Sequence, residues 1–299
     1  MEASRFIFGD KEYFAARAHA RYNKSMSSAL RRRWTALIED LQAQNKVLVA
    51  FSAGCDSTFL LSAVRHTLPK ENILAVTAVS ASLAAREQHA AASLAEHLDV
   101  EHLFLQTEEI NNPAYASNPS NRCFFCKDEL FEKLTPLARA RKMKIVDGLN
   151  LSDLADYRPG VQAAEKWRVQ HPLRDAKLTK QDIRTLSRWR RLPTWKKPAS
   201  PCLSSRIPYG TKVTERILRQ IESAENILLE ENFPVVRVRH YGTQARIEVP
   251  LADFPRLQEK SRWPRIMERF QKIGYPEVIL DPRGFRSGRL NEGVENAVV

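Results

Sequence analysis

The chain has 299 residues, 43% of them hydrophobic and 27% charged, with 10 Gly and 16 Pro. That balance fits a globular protein with room for two domains and excludes a low-complexity or wholly disordered chain. The formal net charge of +12 suits an anionic partner, either nucleic acid or a small ligand bearing phosphates and carboxylates.

No apolar run approaches the ~18 residues that cross a bilayer. Met1–Asp10 carries charges where a secretory leader has an apolar core, so the sequence reads as cytoplasmic. Residues 11–44 read as helical, within an N-terminal extension (1–44) that caps the fold or contacts another subunit. A strand-like run, Val47–Ser52, then ends in Ser52-Ala53-Gly54-Cys55-Asp56-Ser57-Thr58, and an apolar helical pattern follows at Ser57–His66. A small-residue loop between strand and helix leaves bare N–H groups at a helix N-terminus. Those groups and the helix dipole favour a phosphate oxyanion. The alternative is an ordinary turn capped by Ser52 or Asp56. The loop lacks the Gly-Lys-Ser/Thr ending of a Walker loop.

Further strands are expected at Ile73–Val79, Glu101–Gln106 and Lys144–Asp147, with helices at Ala84–Leu98 and Lys127–Arg141 between them. This alternation predicts an α/β domain with a parallel sheet and covering helices. Ligands bind beyond the carboxyl ends of such strands. Ser52–Ser57, Val79-Ser80 and Asp147-Gly148-Leu149-Asn150 fall there. A polar, proline-punctuated stretch from Leu151 to Pro208 completes this domain (45–208). Within it Thr179–Arg191 reads as a helix, with Thr179 as cap and Asp182 three residues on.

After Gly210 the pattern changes. Thr214–Asn232 and Leu251–Lys272 read as helices, and Val235–His240, Ala245–Val249 and Glu277–Leu280 as strands. Tyr241-Gly242-Thr243-Gln244 suits a hairpin turn. The order α-β-β-α-β predicts a smaller α+β domain (209–284), followed by a loosely ordered tail (285–299).

Cys123 and Cys126 have metal-ligand spacing, and Lys127 begins a helical pattern directly after them. Two thiolates cannot close a zinc or iron–sulfur site. Cys202, in a Pro- and Ser-rich loop, supplies a third, and three would leave one iron of a [4Fe–4S] cluster open. The alternative is a pair of cysteines packed as small apolar residues. Cys55 reads as a small buried residue or a fourth thiolate near the site. Four cysteines in all, two of them so spaced, suit a reducing compartment.

The order Ser-x-Gly-x-Asp-Ser at Ser52–Ser57 resembles the pyrophosphate loop of ATP pyrophosphatases. Six further motifs accompany it: Arg122–Lys127, Asp147–Asn150, Asp156–Gly160, Pro172-Leu173, Leu192–Ala199 and Cys202–Gly210. Together they resemble the LarE family, in order, from about Lys46 to Glu248. The resemblance implies an ATP-pyrophosphatase domain with a smaller C-terminal domain, assembled as a homo-oligomer, often a hexamer. It implies an ATP-dependent sulfur transferase of nickel-pincer nucleotide biosynthesis, acting on the anionic pyridinium-3,5-biscarboxylic acid mononucleotide. ATP adenylates a carboxylate, AMP leaves, and sulfur gives a thiocarboxylate. Some members donate the sulfur of the cysteine matching Cys202 and are left with dehydroalanine. Members with three cysteines imply a [4Fe–4S] cluster on Cys123, Cys126 and Cys202.

The residues suit these roles chemically. Ser52, Gly54, Asp56 and Ser57 would hold pyrophosphate or its Mg2+, and a carboxylate beside a phosphate needs a divalent cation. Gly148 and Asn150 would complete the ATP site. Lys127 would stabilise leaving pyrophosphate, or is a solvated helix lysine. Arg237 and Arg239 alternate on one strand and face one side, which suits bidentate contact with the mononucleotide phosphate. Ser205 and Arg206 would shape the same pocket. By resemblance Glu225 and Asp253 are candidate ligands of a divalent cation.

Two residues depart from the family's loop. Ala53 stands where a second glycine is usual, and Cys55 where an aliphatic residue is usual. Two other readings share these motifs. A tRNA thiolase would share the loop, the three cysteines and the basic charge, but the chain lacks the extra Cys-x-x-Cys pairs of zinc ribbons, which disfavours nucleic acid. A degenerate nucleotide-binding protein would follow if Ala53 disables the loop.

Overall fold

The computed structural model describes residues 26–155 and 159–286. Residues 11–25 of the expected N-terminal helix, Asp156–Arg158 of the Asp156–Gly160 motif and the tail beyond Arg286 lie outside the described residues.

Strands β1 (Val47–Ala50), β2 (Ile73–Val79), β3 (Glu101–Gln106) and β4 (Lys144–Val146) form a wholly parallel sheet in the order β3-β2-β1-β4. Val47 lies opposite both Ile73 and Lys144, and Leu74 opposite Glu101. Successive side chains point to opposite faces. Val47 and Val49 join the core on one face, and Leu48 joins the core on the other. Parallel neighbours need long crossovers, and the helices α2 (Cys55–Thr67), α3 (Ala85–His97) and α4 (Arg122–Arg141) supply them. From β1 the chain winds outward through β2 to β3, then returns to place β4 on β1's other side. The resulting switch point lies between the carboxyl ends of β1 and β4, where such sheets bind ligands.

The first core face is completed by α1 (Ser28–Ala43) and α5 (Lys180–Trp189). Leu30, Leu37 and Leu41 of α1 are buried, and Ser27 caps the helix by accepting from Leu30 N–H. Trp34 packs between Phe59 and Trp189, with ring centroids 5.9 and 5.6 Å away. Each fully buried apolar side chain, such as Leu37 or Leu41, contributes about 1.5–3 kcal/mol. The described part of the N-terminal extension is therefore built into the core. On the opposite face α4 and the turn Gly160–Lys166 cover the sheet through Phe131, Leu134 and Ala163.

The smaller domain has a second sheet. β5 (Arg237–Tyr241) and β6 (Gln244–Glu248) are antiparallel, and β7 (Glu277–Leu280) runs parallel to β6. Tyr241 pairs with Gln244, and Gly242 supplies the positive φ of 67° that the two-residue turn requires. Helices α6 (Glu215–Glu230) and α7 (Arg262–Lys272) pack on this sheet around Leu228, Phe233, Ile247, Phe270 and Tyr275.

Two expected boundaries are corrected. The single helix over Leu251–Lys272 is broken into a 3-10 turn at Leu251–Asp253, a helical turn at Phe254–Leu257 and α7. Pro255 and Pro264 favour the break, because proline has no N–H to donate and sits most readily in a first turn. Conversely, α4 begins at Arg122 instead of Lys127, which puts Cys123 and Cys126 inside its first turns. A further apolar cluster, with Tyr115, Leu203, Ile207, Leu218 and Ile221, joins the two domains. Among the described residues no helix is long and apolar enough to cross a membrane.

Candidate active site

At the end of β1 the chain turns through Ser52, Ala53 and Gly54 into α2. Ala53 is buried and has φ 54°, the left-handed region that glycine enters without penalty. Gly54 is the N-cap of α2 and provides no side-chain cap. The first N–H groups of the helix are therefore left to an incoming oxyanion. Ser57 fixes the loop: its Oγ accepts from Ser52 N–H at 3.3 Å and lies 3.1 Å from Ser52 Oγ. Asp56 sits in the first turn of α2, 3.7 Å from Lys180 Nζ.

The segment after β4 closes on this loop. A Cβ at Gly148 would lie 3.0 Å from Ser57 N, so glycine is what permits the approach. Asp147 is buried. Its Oδ1 accepts from His171 Nδ1 at 2.6 Å and from Leu149 N–H at 3.0 Å, and its Oδ2 accepts from Lys127 Nζ at 3.1 Å. Burial alone would raise the Asp147 carboxyl. Lys127, His171 and the Leu149 N–H more than offset it and hold the group below the usual carboxylate range. Lys127 lies against Gly160, where a Cβ would stand 2.7 Å from its Cδ. Asn150 is fully buried. Its Nδ2 donates to Asp153 Oδ2 and its Oδ1 accepts from Ser152 N–H, so its side chain shapes this loop.

Cys123 and Cys126 stand in the first turns of α4, and Cys202 precedes the 3-10 turn Leu203–Arg206. Burial, then Glu109, Cys202 and Cys123, push the Cys126 thiol well up. Packing around the sulfur and then Cys202 raise the Cys123 thiol, although the residue as a whole is exposed. Among the described residues no three His, Cys, Asp or Glu side chains converge at metal-binding spacing. Three thiols with the buried Arg122 beside Cys202 and Cys123 are donors of the kind an iron–sulfur cluster takes. The loop bearing Cys202 is fixed from several sides. Leu203 N–H donates to Ser82 O at 2.8 Å, Arg122 Nη1 to Ser204 O at 3.0 Å, and Ser204 Oγ lies 2.7 Å from Tyr115 OH.

Arginines line the other side of that loop. Arg237 and Arg239 share a face of β5 and are both buried. Arg239 pairs with Glu248 at 3.0 Å and donates to Ser205 O. Arg206 pairs with Glu225 at 2.9 Å, and its Nη1 donates to Ser205 Oγ and to Cys202 O. Arg237 donates to Ala199 O at 2.8 Å and stacks on Phe285. Burial, then Arg206 and Arg239, push the Arg237 guanidinium down to about 10. A buried cation held among other cations is a ready partner for an anion. Glu225 is fully buried between Arg206 and Arg86, and Asp253 is held by Arg256 at 3.2 Å.

Four residues with no role in the sequence reading belong to this constellation. His171 orients Asp147, and Gly160 makes room for Lys127. Lys197 Nζ donates to Ala53 O at 3.1 Å and to Glu87 Oε2 at 2.6 Å. Glu87 also accepts from Ser200 Oγ. Lys197 and Glu87 thus tie the phosphate loop to the segment that carries Cys202. Gly160 and Lys197 sit in motifs that the sequence singles out, and His171 directly precedes Pro172-Leu173. Their partners are 24 to 144 residues away along the chain, and no periodicity connects them.

No family model matches the chain. It is 34% identical to the pyridinium-3,5-bisthiocarboxylic acid mononucleotide synthase of Lactiplantibacillus plantarum over 266 residues, 88% of this chain and 94% of that protein. It is 40% identical over 248 residues to an uncharacterised protein of Synechocystis sp., covering 83% of this chain and 92% of the relative. An uncharacterised protein of Methanocaldococcus jannaschii is 26% identical over 249 residues, 81% of this chain and 91% of its own.

Proposed function

The chain belongs to the LarE family of sulfur-inserting synthases, and from that premise we propose that it adenylates a carboxylate of pyridinium-3,5-biscarboxylic acid mononucleotide with ATP and replaces the adenylate by sulfur. The observation that carries the proposal is one loop, Lys197–Arg206, held at one end by the phosphate loop and along its length by the buried arginines, with Cys202 between them.

The chemistry follows from what each part can hold. The uncapped N–H groups at the start of α2 take the β- and γ-phosphates. A substrate carboxylate oxygen attacks the α-phosphorus, the bond to the bridging oxygen breaks, and pyrophosphate leaves with the electron pair. Lys127, aimed by Asp147, offsets the charge that grows on the leaving oxygen. Asp56, in the first turn of α2, would hold Mg2+ on the phosphates. Glu225 and Asp253 are engaged by arginines and fit that cation less well. Arg237 and Arg239, with Ser205 and Arg206, hold the mononucleotide phosphate. That anchor brings the activated carboxyl towards Cys202.

Sulfur then adds to the acyl adenylate and AMP departs. Cys123, Cys126 and Cys202 would hold a [4Fe–4S] cluster whose fourth iron can carry an extra sulfide. The chain's part is to present the three thiolates beside Arg122, which offsets their charge. Anaerobic incubation with ATP, Mg2+ and the biscarboxylate mononucleotide should yield AMP, pyrophosphate and a thiocarboxylate visible by mass. ATP turnover that never depends on the mononucleotide would sink the reading. Iron and acid-labile sulfide assays separate the sulfur sources. A cluster carrier holds about four of each per chain and loses them in Cys202→Ala. A sacrificial Cys202 holds none, and after turnover the chain is lighter by the mass of one hydrogen sulfide.

A further inference from the structure

His171 is a buried histidine with one satisfied nitrogen. Its Nδ1 lies 2.6 Å from Asp147 Oδ1. Its Nε2 is buried and has no hydrogen-bond partner among the described residues. Leaving a buried ring nitrogen unpaired costs about 1–3 kcal/mol. An apolar side chain would fill the same space without that cost. The ring is therefore worth more to the fold for its Nδ1 side than for its volume.

Asp147 has two oxygens and three donors. Oδ1 takes His171 and the Leu149 N–H, and Oδ2 takes Lys127. This division fixes the plane of the carboxylate. Without His171, the Leu149 N–H alone holds Oδ1, and the carboxylate can swing to offer more of both oxygens to Lys127. The ammonium would then be drawn into a tighter pair and lose its present position. Gly148 sits against Ser57 N, so a turn of Asp147 is felt directly at that loop.

We propose that His171 is a positioning residue that acts through Asp147 to hold the Lys127 ammonium at the pyrophosphate leaving group. The proposal rests on the reading of Lys127 given above.

A double-mutant cycle on the full chain tests it, with AMP formation from Mg-ATP and the biscarboxylate mononucleotide as the readout. His171→Leu removes the donor and His171→Asn keeps an N–H near the Nδ1 position. His171→Leu should lower kcat about tenfold with little change in KM for ATP, as expected for an interaction felt in the transition state. His171→Asn should stay within about threefold of the parent. In a Lys127→Ala background, His171→Leu should cause no further loss. Unfolding midpoints are measured alongside, and His171→Met replaces the leucine variant should that chain not fold.

If the His171→Leu loss persists in full without Lys127, the residue acts elsewhere and the proposal is overturned. It is equally overturned if His171→Asn falls as far as His171→Leu. Unchanged AMP formation in Lys127→Ala alone would instead remove the role of Lys127 itself.

Discussion

Two residues of the site are held in conformations that their neighbours dictate. Ala53 occupies the left-handed region at φ 54°, where a Cβ costs about 1–2 kcal/mol. A glycine there loses that strain but adds unfolded-chain entropy and gives up a buried methyl, so Ala53→Gly should leave stability within about 1 kcal/mol of the parent. Urea denaturation reads this directly, and a larger shift either way would contradict it. The same change should leave Mg-pyrophosphate binding equal or tighter by calorimetry, because the turn no longer strains as the loop closes on its ligand. Gly160 makes the opposite case. At this first helical position an alanine gains only a few tenths of a kcal/mol in propensity, about a third of the interior value. Its Cβ would stand 2.7 Å from Lys127 Cδ, so the lysine has to move. Gly160→Ala should keep its stability while AMP formation falls about tenfold or more. A fully active Gly160→Ala enzyme would mean that Lys127 is not held in a working position.

At the scale of elements, the cap of α5 is the clearest case of local chemistry deciding a boundary. Thr179 accepts from Asp182 N–H at 3.2 Å, and Asp182 returns the bond to Thr179 N–H at 3.0 Å. Arg33 of α1 reaches the same carboxylate at 2.6 Å. Thr179→Ala should cost about 1 kcal/mol of stability, measured by thermal or urea unfolding. No measurable loss would show that tertiary packing alone sets this end. The capping box was legible in the sequence because it is local. So were the four parallel strands, whose apolar runs stop at small or polar residues, and the hairpin at Gly242. The Leu251–Lys272 stretch misled because its apolar spacing survives the breaks made by Pro255 and Pro264. The start of α4 misled because a Cys-x-x-Cys reads as readily as a loop. Within the candidate site, the Ser52–Ser57 loop and the β5 arginines are contiguous or periodic, so the sequence alone could single them out. His171 and Lys197 could not, since each acquires its meaning from a partner that only the fold brings near.

At the scale of the molecule, the two domains meet through buried charge as well as apolar contact. Glu225 of α6 pairs with Arg206 of the Cys202 loop and Arg86 of α3, and its Oε1 also accepts from Val238 N–H of β5. Burial alone would raise the Glu225 carboxyl; Arg206 and then Arg86 outweigh it and hold the group below its usual range. A folded-state pKa below the unfolded one contributes stability that is fully present above the unfolded value, near ~4.3. That stability is lost as pH falls through the folded value. Asp147 is shifted in the same direction and acts in the same acid range. Glu225→Gln leaves two guanidinium groups short of a counter-charge, one of them buried, and should cost about 3 kcal/mol at pH 7. Its stability should then fall less steeply below about pH 4 than the parent's, because one fewer depressed carboxylate remains to be protonated. Urea midpoints from pH 7 to pH 3 test both statements. A variant with the parent's acid slope would show that this carboxylate does not couple the domains through its charge. Mononucleotide binding should weaken in the same variant. Arg206 reaches both Cys202 O and Ser205 Oγ, so loosening its pair with Glu225 loosens the loop that presents the thiol and the phosphate site together.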